Sequence, residues 1–512
     1  LHLCDRRQRQ MCIRDRYLES YEGYGISYED VHDAINEHDI SSAKGKFYPT
    51  SHTGKNEKRS QFFKASFDIL DKYVLTATLR RDGTDKFFPG NKYALFPSVS
   101  GAWKISNENF LKNISWINLL KLRASWGKTG QDNLGSSLYG SYAPNNFKVN
   151  FSDNGIINIP YVSMGANYPD VSWQKTTMKN IGLDFYLLSD RISGSFDFFR
   201  NDITRLLGYA STSPLAIYET RPINGGHYYR RGWELMVDTK NLVGEFTWDT
   251  SLTFSKTNSF WKERLPNYDY QIYQQRENEP MSAYYYYNVT GIINTDRSNM
   301  PESQKTLQAE AQLPGCPIIE DKNKDGKIDE NDVYMKDNSP AIYVGIGNTF
   351  TYKRFEFSFF MYGQFGIQKY NIAYSAAQAG PLAVDYPENS NKFAYRLWNS
   401  QTNPNGSRPG LAIGKMGALP GNAWVNADRE NASFMRMRNI TLAYNLAGNI
   451  LGSLQRYVRN IKVYVDAQNP FILTKFQGFD PEIYTGGGGA SGGSRGEYPQ
   501  TRTFSLGVNI TF

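Results

Sequence analysis

The strongest constraint in this sequence is an alternation of apolar and polar residues that persists over runs of about ten residues. A period of two places successive side chains on opposite faces of a β-strand. These runs exceed the average globular strand of about five to six residues and match a tilted strand that crosses a bilayer. The clearest apolar faces are Tyr73, Leu75, Ala77 and Leu79; Phe246, Trp248, Leu252 and Phe254; Phe355, Phe357, Phe359 and Met361; and Ile461, Val463, Val465 and Ala467.

The alternating runs predict thirteen strands whose connections alternate in length. Short turns on one side and long loops on the other are typical of an outer-membrane β-barrel. Short or moderate connections are predicted near Asp71, Asp190, Val243 and Lys353 and at 106–117 and 445–457. The predicted strands are residues 58–70, 72–82, 93–105, 118–128, 173–188, 190–201, 229–241, 244–256, 341–352, 354–367, 432–444, 458–468 and 501–512.

Composition excludes a helical membrane bundle. The chain is 40% hydrophobic with a mean hydropathy of −0.56, and no apolar stretch approaches the roughly 20 residues that a transmembrane helix needs. It is instead rich in the β-forming aromatics and in glycine, with 36 Tyr, 30 Phe and 44 Gly among 512 residues. A large soluble sandwich or propeller also alternates, but it predicts shorter strands and no regular alternation of connection lengths.

The first sixteen residues differ in character from the rest of the chain. They contain five Arg and two Asp, so they account for +3 of the formal net charge of +7 and leave +4 for everything else. The remaining charges are spread out, without the clustered basic face that nucleic-acid binding requires. Because LHLCDRRQRQMCIRDR resembles the translated read-through of a sequencing adapter, we interpret residues 1–16 as a non-native artefact, with a genuine basic N-terminus as the alternative. Without Cys4 and Cys12 in this segment, Cys316 stands alone and no disulfide framework is possible.

The last strand carries the sharpest single signal. Phe504, Leu506, Val508, Ile510 and Phe512 share one face, polar residues and Gly507 share the other, and the sequence stops on an aromatic residue. Such a strand resembles the signal by which the outer-membrane assembly machinery recognises its substrates. The matching positions are Gly507, Val508, Ile510 and Phe512.

Several stretches resemble the C-terminal half of the SusC/RagA family of TonB-linked outer-membrane transporters. They occur in the family's order and cover nearly the whole chain from about residue 58. They are YVLTATLRRDGTDKF at 73–87, FPSVSGAWKISNENFL at 96–111, LKLRASWGKTGQDNL at 120–134, DKNKDGKIDENDV at 321–333, ASFMRMRNITLAYNL at 432–446, and GFDPE at 478–482 followed by YPQTRTFSLGVNITF.

The resemblance implies an all-β transmembrane antiparallel barrel of about 22 strands, of which this chain supplies about 13. Residues 58–512 would be the C-terminal part of that barrel. Residues 17–57 would be an outer loop with a short helix around Glu29 to Glu37. The signal peptide, the TonB-binding segment and the plug domain would precede the chain.

The resemblance also implies a function. The intact protein would import oligosaccharides or oligopeptides, with a SusD-like surface lipoprotein as a lid and TonB as the source of energy. No bond would be broken, so we expect no enzymatic activity. The five His show no metal-ligand spacing, and no GxSxG or phosphate loop is present.

Residues 321–332, DKNKDGKIDEND, follow the spacing of a calcium-binding loop. Calcium prefers six to eight hard oxygen ligands, and glycine at the sixth position permits the turn that wraps them around the ion. Gly326 occupies that position, whereas Asp332 replaces the usual Glu at position twelve. We predict a structural Ca²⁺ site that braces a long outer loop, with a solvated turn as the alternative. The predicted ligands are Asp321, Asn323, Asp325, Lys327 through its carbonyl oxygen, Asp329 and Asp332.

Four consecutive tyrosines, Tyr284, Tyr285, Tyr286 and Tyr287, are candidates for stacking on sugar rings in an outer loop. Interfacial or loop packing is the alternative for such residues. Two other functions remain open beside the importer. One is a secreted calcium-binding β-rich glycan-binding module or glycoside hydrolase, and the other is a passive porin or adhesin.

Overall fold

The computed structural model describes most of the chain. Its regular elements are β-strands and short 3-10 turns. No helix in the described residues has the length and hydrophobicity needed to cross a membrane. The described residues are 7–28, 47–134, 138–139, 142–152, 155–163, 166–212, 220–266, 270–274, 277–371, 396–410, 413, 416–417, 419–427, 429–447, 452, 456–478, 480–482 and 500–512.

The strands are numbered in chain order. They are β1 (Arg7–Tyr28), β2 (Phe47–Ile69), β3 (Tyr73–Thr84), β4 (Tyr93–Lys104), β5 (Ile117–Gln131), β6 (Tyr142–Ser152), β7 (Gly155–Ser163), β8 (Gln174–Leu187), β9 (Ile192–Ser211), β10 (Thr220–Leu242), β11 (Phe246–Glu263), β12 (Ala283–Tyr287), β13 (Val289–Ile292), β14 (Pro317–Ile319), β15 (Tyr334–Asp337), β16 (Ile342–Tyr352), β17 (Phe355–Phe365), β18 (Gln368–Tyr370), β19 (Trp424–Val425), β20 (Arg429–Asn431), β21 (Phe434–Ala447), β22 (Asn460–Gln468), β23 (Ile472–Thr474) and β24 (Thr503–Thr511). The 3-10 turns are Pro89–Asn91, Ile105–Asn107, Ile272–Gln274, Glu302–Thr306, Ala309–Gln312, Glu330–Asp332 and Pro420–Asn422.

One antiparallel sheet, which we call the wall, contains the long strands. Its order is β1-β2-β3-β4-β5-β8-β9-β10-β11-β16-β17-β21-β22-β24, and β23 adds a short pairing to β21. Each wall strand therefore pairs with the next wall strand along the chain, as in a meander. In the described residues the sheet is open, with β1 at one edge and β24 at the other. The predicted all-β, antiparallel and incomplete barrel is confirmed.

All thirteen predicted strands are present in the wall, most of them within a few residues of the predicted bounds. The predicted tight turns are also present. Leu70 and Asp71 have φ values of 55° and 54°, and Lys353 has a φ of 53°. A left-handed backbone at the centre of a two-residue turn matches the twist of the two strands that it joins. The edge of the wall that carries these turns is called the turn side, and the opposite edge the loop side.

The structure differs from the expectation for residues 17–57. Residues 17–28 belong to β1 and residues 47–57 to the first part of β2, and the two strands pair from Arg7↔Phe67 to Tyr28↔Phe47 with one irregularity after Glu22. These two parts of the expected outer loop thus continue a strand pair, because antiparallel pairing extends well beyond the length that crosses a bilayer. The helix predicted around Glu29 to Glu37 lies outside the described residues. Residues 7–16 are paired in the same strand, and their foreign origin stays a prediction.

The wall has two chemically different faces. Strand register places Val508, Val463, Tyr444 and Phe355 side by side on one face through the pairings of β24, β22, β21 and β17. We call this the apolar face. The opposite polar face has Asn509, Lys462, Asn445 and other hydrophilic side chains. Many large apolar side chains of the apolar face are exposed to the surroundings of the protein, from 77% for Leu506 to 42% for Val99.

The main buried core lies outside the wall. The connections β11–β16 and β17–β21 fold together into a unit on the loop side, residues 270–340 and 396–427, which we call the loop domain. β12 pairs with β15 in antiparallel fashion and with β19 in parallel fashion, which joins the two connections. Its core contains Tyr273, Tyr287, Ile293, Leu307, Ala311, Cys316, Ile318, Ile319, Ile328, Val333, Met416, Leu419 and Ala423.

Candidate functional site: the polar face and the loop domain

The polar face of β5, β8 and β9 carries a cross-strand ion-pair network. Arg123 lies 2.9 Å from Asp197 and 2.7 Å from Asp184, and Lys121 lies 2.7 Å from the other oxygen of Asp184. Two cations and two carboxylates therefore neutralise one another on three adjacent strands. The network fixes this part of the polar face as a hydrophilic surface without excess charge.

Gly182 explains how Arg123 reaches over a whole strand. It is the residue of β8 directly opposite Arg123 on one side and Asp197 on the other. A Cβ at this position would collide with the Asp197 carboxylate and with the Arg123 guanidinium. The absent side chain leaves the space in which the two charged groups meet.

A polar cavity lies on the same face near the turn side. Its volume is about 390 Å³, and Asp238, Lys240, Asp249, Ser251 and Ser358 contribute to its lining. Register places these side chains on the polar face of β10, β11 and β17. The cavity therefore presents carboxylates, an ammonium group and hydroxyls to a solute beside the polar face.

On the loop side, Arg436 of β21 clamps the GFDPE segment onto the polar face. The guanidinium donates to both oxygens of Asp480 at 2.6 and 2.7 Å and also contacts Glu482, which accepts from the Tyr362 hydroxyl of β17. The Arg436 and Asp480 side chains are only 3% and 5% exposed. A buried charge of this kind is tolerated only where it is paired, so the clamp holds this segment in one place.

The sequence alone does not distinguish Arg123, Asp184, Asp197 and Arg436 from other polar residues of the predicted strands. Each occupies a polar position of a predicted strand, so the alternation gives its face. The partners belong to strands far apart in sequence, and only the register brings them together. The GFDPE segment served only as part of the family resemblance, and its two carboxylates were not recognised as a pair around one arginine.

The tyrosine run forms β12, and its residues divide between two surfaces. Tyr287 is completely buried, and its hydroxyl donates to the carbonyl oxygens of Asp329 and Pro420 at 2.9 and 3.0 Å. Burial raises the pKa of this phenol, and the nearby Asp332 and Glu330 carboxylates add to the effect. For Tyr287 the prediction of ligand stacking is wrong, because neither ring face is accessible. Tyr285 packs against the same core and against Tyr273, with ring centres 5.0 Å apart.

Tyr284 and Tyr286 lie on the other side of β12. Their ring centres are 5.2 Å apart, Tyr286 stacks on Tyr334 at 5.8 Å, and the Arg429 guanidinium lies 3.7 Å from the centre of the Tyr284 ring. Tyr284 also donates to Gln368. The four groups form a partly exposed aromatic and cationic surface, and ligand stacking by these two tyrosines stays a prediction.

The predicted calcium loop folds as a tight turn of Asp and Asn side chains around backbone N–H groups. Asp332 is completely buried and accepts from the backbone of Lys322 and Asp329 at 2.9 and 2.8 Å. Asp321 Oδ2 accepts from Gly326 at 2.9 Å, and Gly326 has a φ of 86° that favours glycine. The second oxygen of Asp321 is buried and has no hydrogen-bond partner.

Lys327 supplies the positive charge in this arrangement. Its ammonium group lies 2.9 Å from Asp329 and 3.9 Å from Asp325. The pKa of Asp329 is lowered by the Asn331 backbone N–H and then by Lys327, and that of Lys327 is raised by Asp329. In the part of the chain that the structure describes, no group of three His, Cys, Asp or Glu side chains is placed to hold a metal. The oxygen donors of this loop and the orphaned Asp321 oxygen are of the kind that calcium binds, and the Ca²⁺ site stays a prediction.

The C-terminal assembly residues lie at the β24 edge of the wall. Val508, Ile510 and Phe512 are 56%, 49% and 78% exposed on the apolar face. Gly507 is on the polar face, where a Cβ would collide with the Tyr464 ring of the paired strand. Recognition of these four positions by the assembly machinery stays a prediction.

A wall with an apolar face, an ionic polar face and tight turns along one edge defines an outer-membrane β-barrel protein. Residues 13–469 match the family described as TonB dependent receptor-like, beta-barrel. The chain belongs to this family and is of the SusC/RagA type, and its location is the bacterial outer membrane. A secreted soluble module, the first alternative above, is therefore wrong.

Known relatives agree with this assignment. TonB-dependent receptor SusC of Bacteroides thetaiotaomicron is 29% identical over 475 residues, which cover 90% of this chain and 44% of SusC. TonB-dependent receptor P3 of Formosa agariphila is 28% identical over 484 residues, which cover 91% of this chain and 46% of P3.

Solved structures show the same fold. The structure of the RagAB peptide transporter matches with a TM-score of 0.76 and 20% identity, over 100% of this chain and 54% of that chain. The chain thus spans about half the length of the relatives that it matches.

Proposed function

We propose that this chain forms the outer loop domain and part of the barrel wall of an energy-driven nutrient importer. The substrate would be an oligosaccharide or an oligopeptide, and TonB would supply the energy through the preceding part of the protein. A SusD-like surface lipoprotein would cover the loop domain. No chemical step is involved, and the protein binds the substrate and provides a hydrophilic route for it.

The observation that carries this proposal is that the wall has an apolar face on one side and a polar face on the other, with one folded loop domain at its loop side. A hydrophilic solute needs a polar surface through the membrane, and the Arg123 network, the cavity beside Lys240 and the Arg436 clamp supply one. In the Arg123 network two cations and two carboxylates neutralise one another, so this part of the polar face neither attracts nor repels one sign of charge strongly. The similarity in fold to the RagAB peptide transporter supports the same interpretation.

The surface of Tyr284, Tyr286 and Arg429 supports a sugar or peptide substrate. Aromatic rings present flat apolar faces to sugar rings or to side chains, and a guanidinium adds directional hydrogen bonds. Tyr284 and Tyr286 lie in the loop domain and Arg429 lies just after it in the chain, on the side where a solute arriving from outside would first meet the protein.

Calcium belongs to the same proposal as a structural ion. Asp321, Asn323, Asp325, the Lys327 carbonyl oxygen, Asp329 and Asp332 would hold it. Bound Ca²⁺ would supply a fixed positive charge that ties residues 321–332 to the core next to Val333. Asp332 already satisfies backbone donors with both oxygens. We therefore expect weak binding, in the range of about 10⁻⁴ to 10⁻³ M that is typical of extracellular sites.

Deletion of the complete gene in its host, beside deletion of TonB, tests the proposal. Growth on the imported oligosaccharide or oligopeptide should be lost in both strains. Purification of the tagged complete protein should recover a surface lipoprotein. Growth that persists without TonB but is lost without this gene would identify a passive porin and overturn energy-driven import. Unchanged growth of the gene deletion on every oligosaccharide and peptide source that the wild type uses would overturn nutrient uptake altogether.

A further inference from the structure

Three cations lie in one row on the apolar face of the wall. Register pairs Lys179 of β8 directly with Arg200 of β9, and Arg200 directly with Arg231 of β10. Two residues closer to the turn side on the same face are Ile181, Phe198 and Trp233. Like charges in directly opposed positions repel and destabilise a sheet. The row therefore calls for an anionic partner.

The protein neutralises this row only in part. Asp202 lies 3.1 Å from Arg200, and the Arg200 guanidinium also lies 4.4 Å from the centre of the Tyr229 ring. Arg231 lies 5.2 Å from the centre of the Phe260 ring. Within the described residues, neither Lys179 nor Arg231 forms an ion pair. Two of the three positive charges are thus left for a partner outside the wall.

The height of the row points to the membrane surface. Arg200 lies about eight residues from Ile192, where β9 begins on the turn side. At about 3.3 Å per residue and a tilt of about 40°, this distance corresponds to about 20 Å across the membrane. The apolar belt of such barrels is about 25 Å tall. Since short turns are periplasmic, the row lies about 5 Å inside the outer edge of this belt, from where Lys and Arg side chains reach the headgroups of the outer leaflet.

An apolar groove descends from the row along the same face. Its volume is about 520 Å³. Val99, Trp126, Lys179 and Arg200 line its end nearer the loop side, and Ile181 and Phe198 line the next row toward the turn side. Gly101 and Ala124 form its floor, and a Cβ at Gly101 would meet no atom within 4 Å. The groove is thus an open apolar depression that fits a flexible apolar chain, with cations at one end.

We propose that this groove is a binding site for an outer-leaflet lipid, with an acyl chain between Trp126 and Phe198 and a phosphate headgroup bridging Lys179, Arg200 and Arg231. Phosphate oxygens accept charge-assisted hydrogen bonds from ammonium and guanidinium groups, and arginine matches phosphate in a two-pronged geometry. An uncharged headgroup would leave the repulsion along the row uncompensated. The site lies on the opposite side of the wall from the polar face, so it is independent of the imported substrate.

Native mass spectrometry of the complete protein, purified from outer membranes in mild detergent, tests this site. The double variant Lys179→Gln/Arg231→Gln should retain at least about tenfold less phosphate-bearing lipid than the wild type, because each charged hydrogen bond contributes about a factor of ten. The matched control is Arg230→Gln. Arg230 neighbours Arg231 but faces the other side of the wall, so its lipid content should equal that of the wild type.

A second variant separates the groove from the charges. Ala124→Leu fills the floor of the groove and keeps every cation, so lipid retention should again fall. Heat-dependent migration on gels confirms that each variant is folded. In delipidated wild type, added phosphatidylglycerol should bind, and inorganic phosphate at the same concentration should not displace it.

Three outcomes would overturn the proposal. One is equal lipid retention by wild type and folded Lys179→Gln/Arg231→Gln. Another is an equal loss in Arg230→Gln, which would show a non-specific effect of charge. Displacement of the lipid by inorganic phosphate would reduce the row to a simple anion site.

Discussion

The loop domain and the wall are built by the same chain, yet they are stabilised in different ways. In the loop domain, Tyr287, Ile293 and Val333 are completely buried, so removal of apolar surface from water dominates. In the wall, Ile181 and Leu506 remain 59% and 77% exposed, because the bilayer rather than the protein covers them. The stability of the wall depends on the backbone hydrogen bonds between its strands. In the membrane no water is present to replace them, so every backbone N–H and C=O group must be paired within the protein. Different kinds of substitution should therefore destabilise the two regions.

The largest effect is expected from Tyr287→Ala in the loop domain. The change opens a cavity and removes the hydroxyl that donates to Asp329 and Pro420. Truncation of a buried aromatic side chain typically costs about 3–5 kcal/mol. We expect the loop domain to open while the wall keeps its heat-resistant migration. Labelling of Cys316, measured on its peptide by mass spectrometry, reports this opening.

Cys316 is a suitable reporter because it is completely buried, and burial raises the pKa of its thiol to about 11. At pH 8 the folded protein therefore holds a neutral, inaccessible thiol, and labelling requires opening. The pKa of this thiol is lower in the unfolded protein, at about 9. The unfolded state is therefore favoured, and the free energy of unfolding falls, as the pH rises from about 9 toward 11. Tyr286→Ala on the outer surface of the same strand is the control and should leave Cys316 protected. Equal labelling of both variants would contradict the distinction between the two surfaces of β12.

A smaller effect is expected from a charge placed on the wall. Leu252 faces the apolar side opposite Ile346, and Ser251 faces the polar side opposite Gly347. Leu252→Arg should cost about 2–4 kcal/mol, because the guanidinium would lie within the hydrocarbon belt. Ser251→Arg should be tolerated, since its side chain enters the polar cavity. The amount of folded protein in isolated outer membranes measures both, and equal loss would show that the faces are assigned wrongly.

The smallest effect is expected from calcium on the loop domain. Millimolar Ca²⁺ should stabilise it by about 1 kcal/mol, given weak binding to the folded state only. Protection of Cys316 from labelling should rise with Ca²⁺ and fall with EGTA, and Mg²⁺ should substitute poorly. Asp321→Asn/Asp325→Asn should abolish the response. Identical protection in Ca²⁺ and EGTA would leave residues 321–332 as a plain Asp/Asn turn.

The faces of the wall could be predicted residue by residue, but the contacts between strands could not. Alternation alone places Lys179, Arg200 and Arg231 on particular strands, and their charges appear scattered along the sequence. Only the pairing of β8, β9 and β10 aligns them into one row. The same holds for Arg436, whose partners Asp480 and Glu482 come from a segment more than forty residues away.

The loop domain was predicted least well, for a related reason. The four consecutive tyrosines are identical residues, yet they lie in two environments. Nothing in their order indicates that Tyr287 points inward while Tyr286 points outward. Their burial depends on β19, which arrives from another connection to pair with β12. Residues 17–28 and 47–57, which were expected to belong to an outer loop, are likewise paired strand, because hydrogen bonding between long hairpin strands does not stop at the membrane surface.

The sequence by itself determined most of the wall: thirteen of the fourteen long strands in the described residues, the side on which they turn, and the face that meets lipid. These properties are local, because a period of two and a turn residue act within a few positions of the chain. The tertiary structure alone decided which charges meet, which tyrosines are buried and where cations gather above an apolar groove. Those properties depend on the register between strands, and a shift of one residue would exchange the two faces.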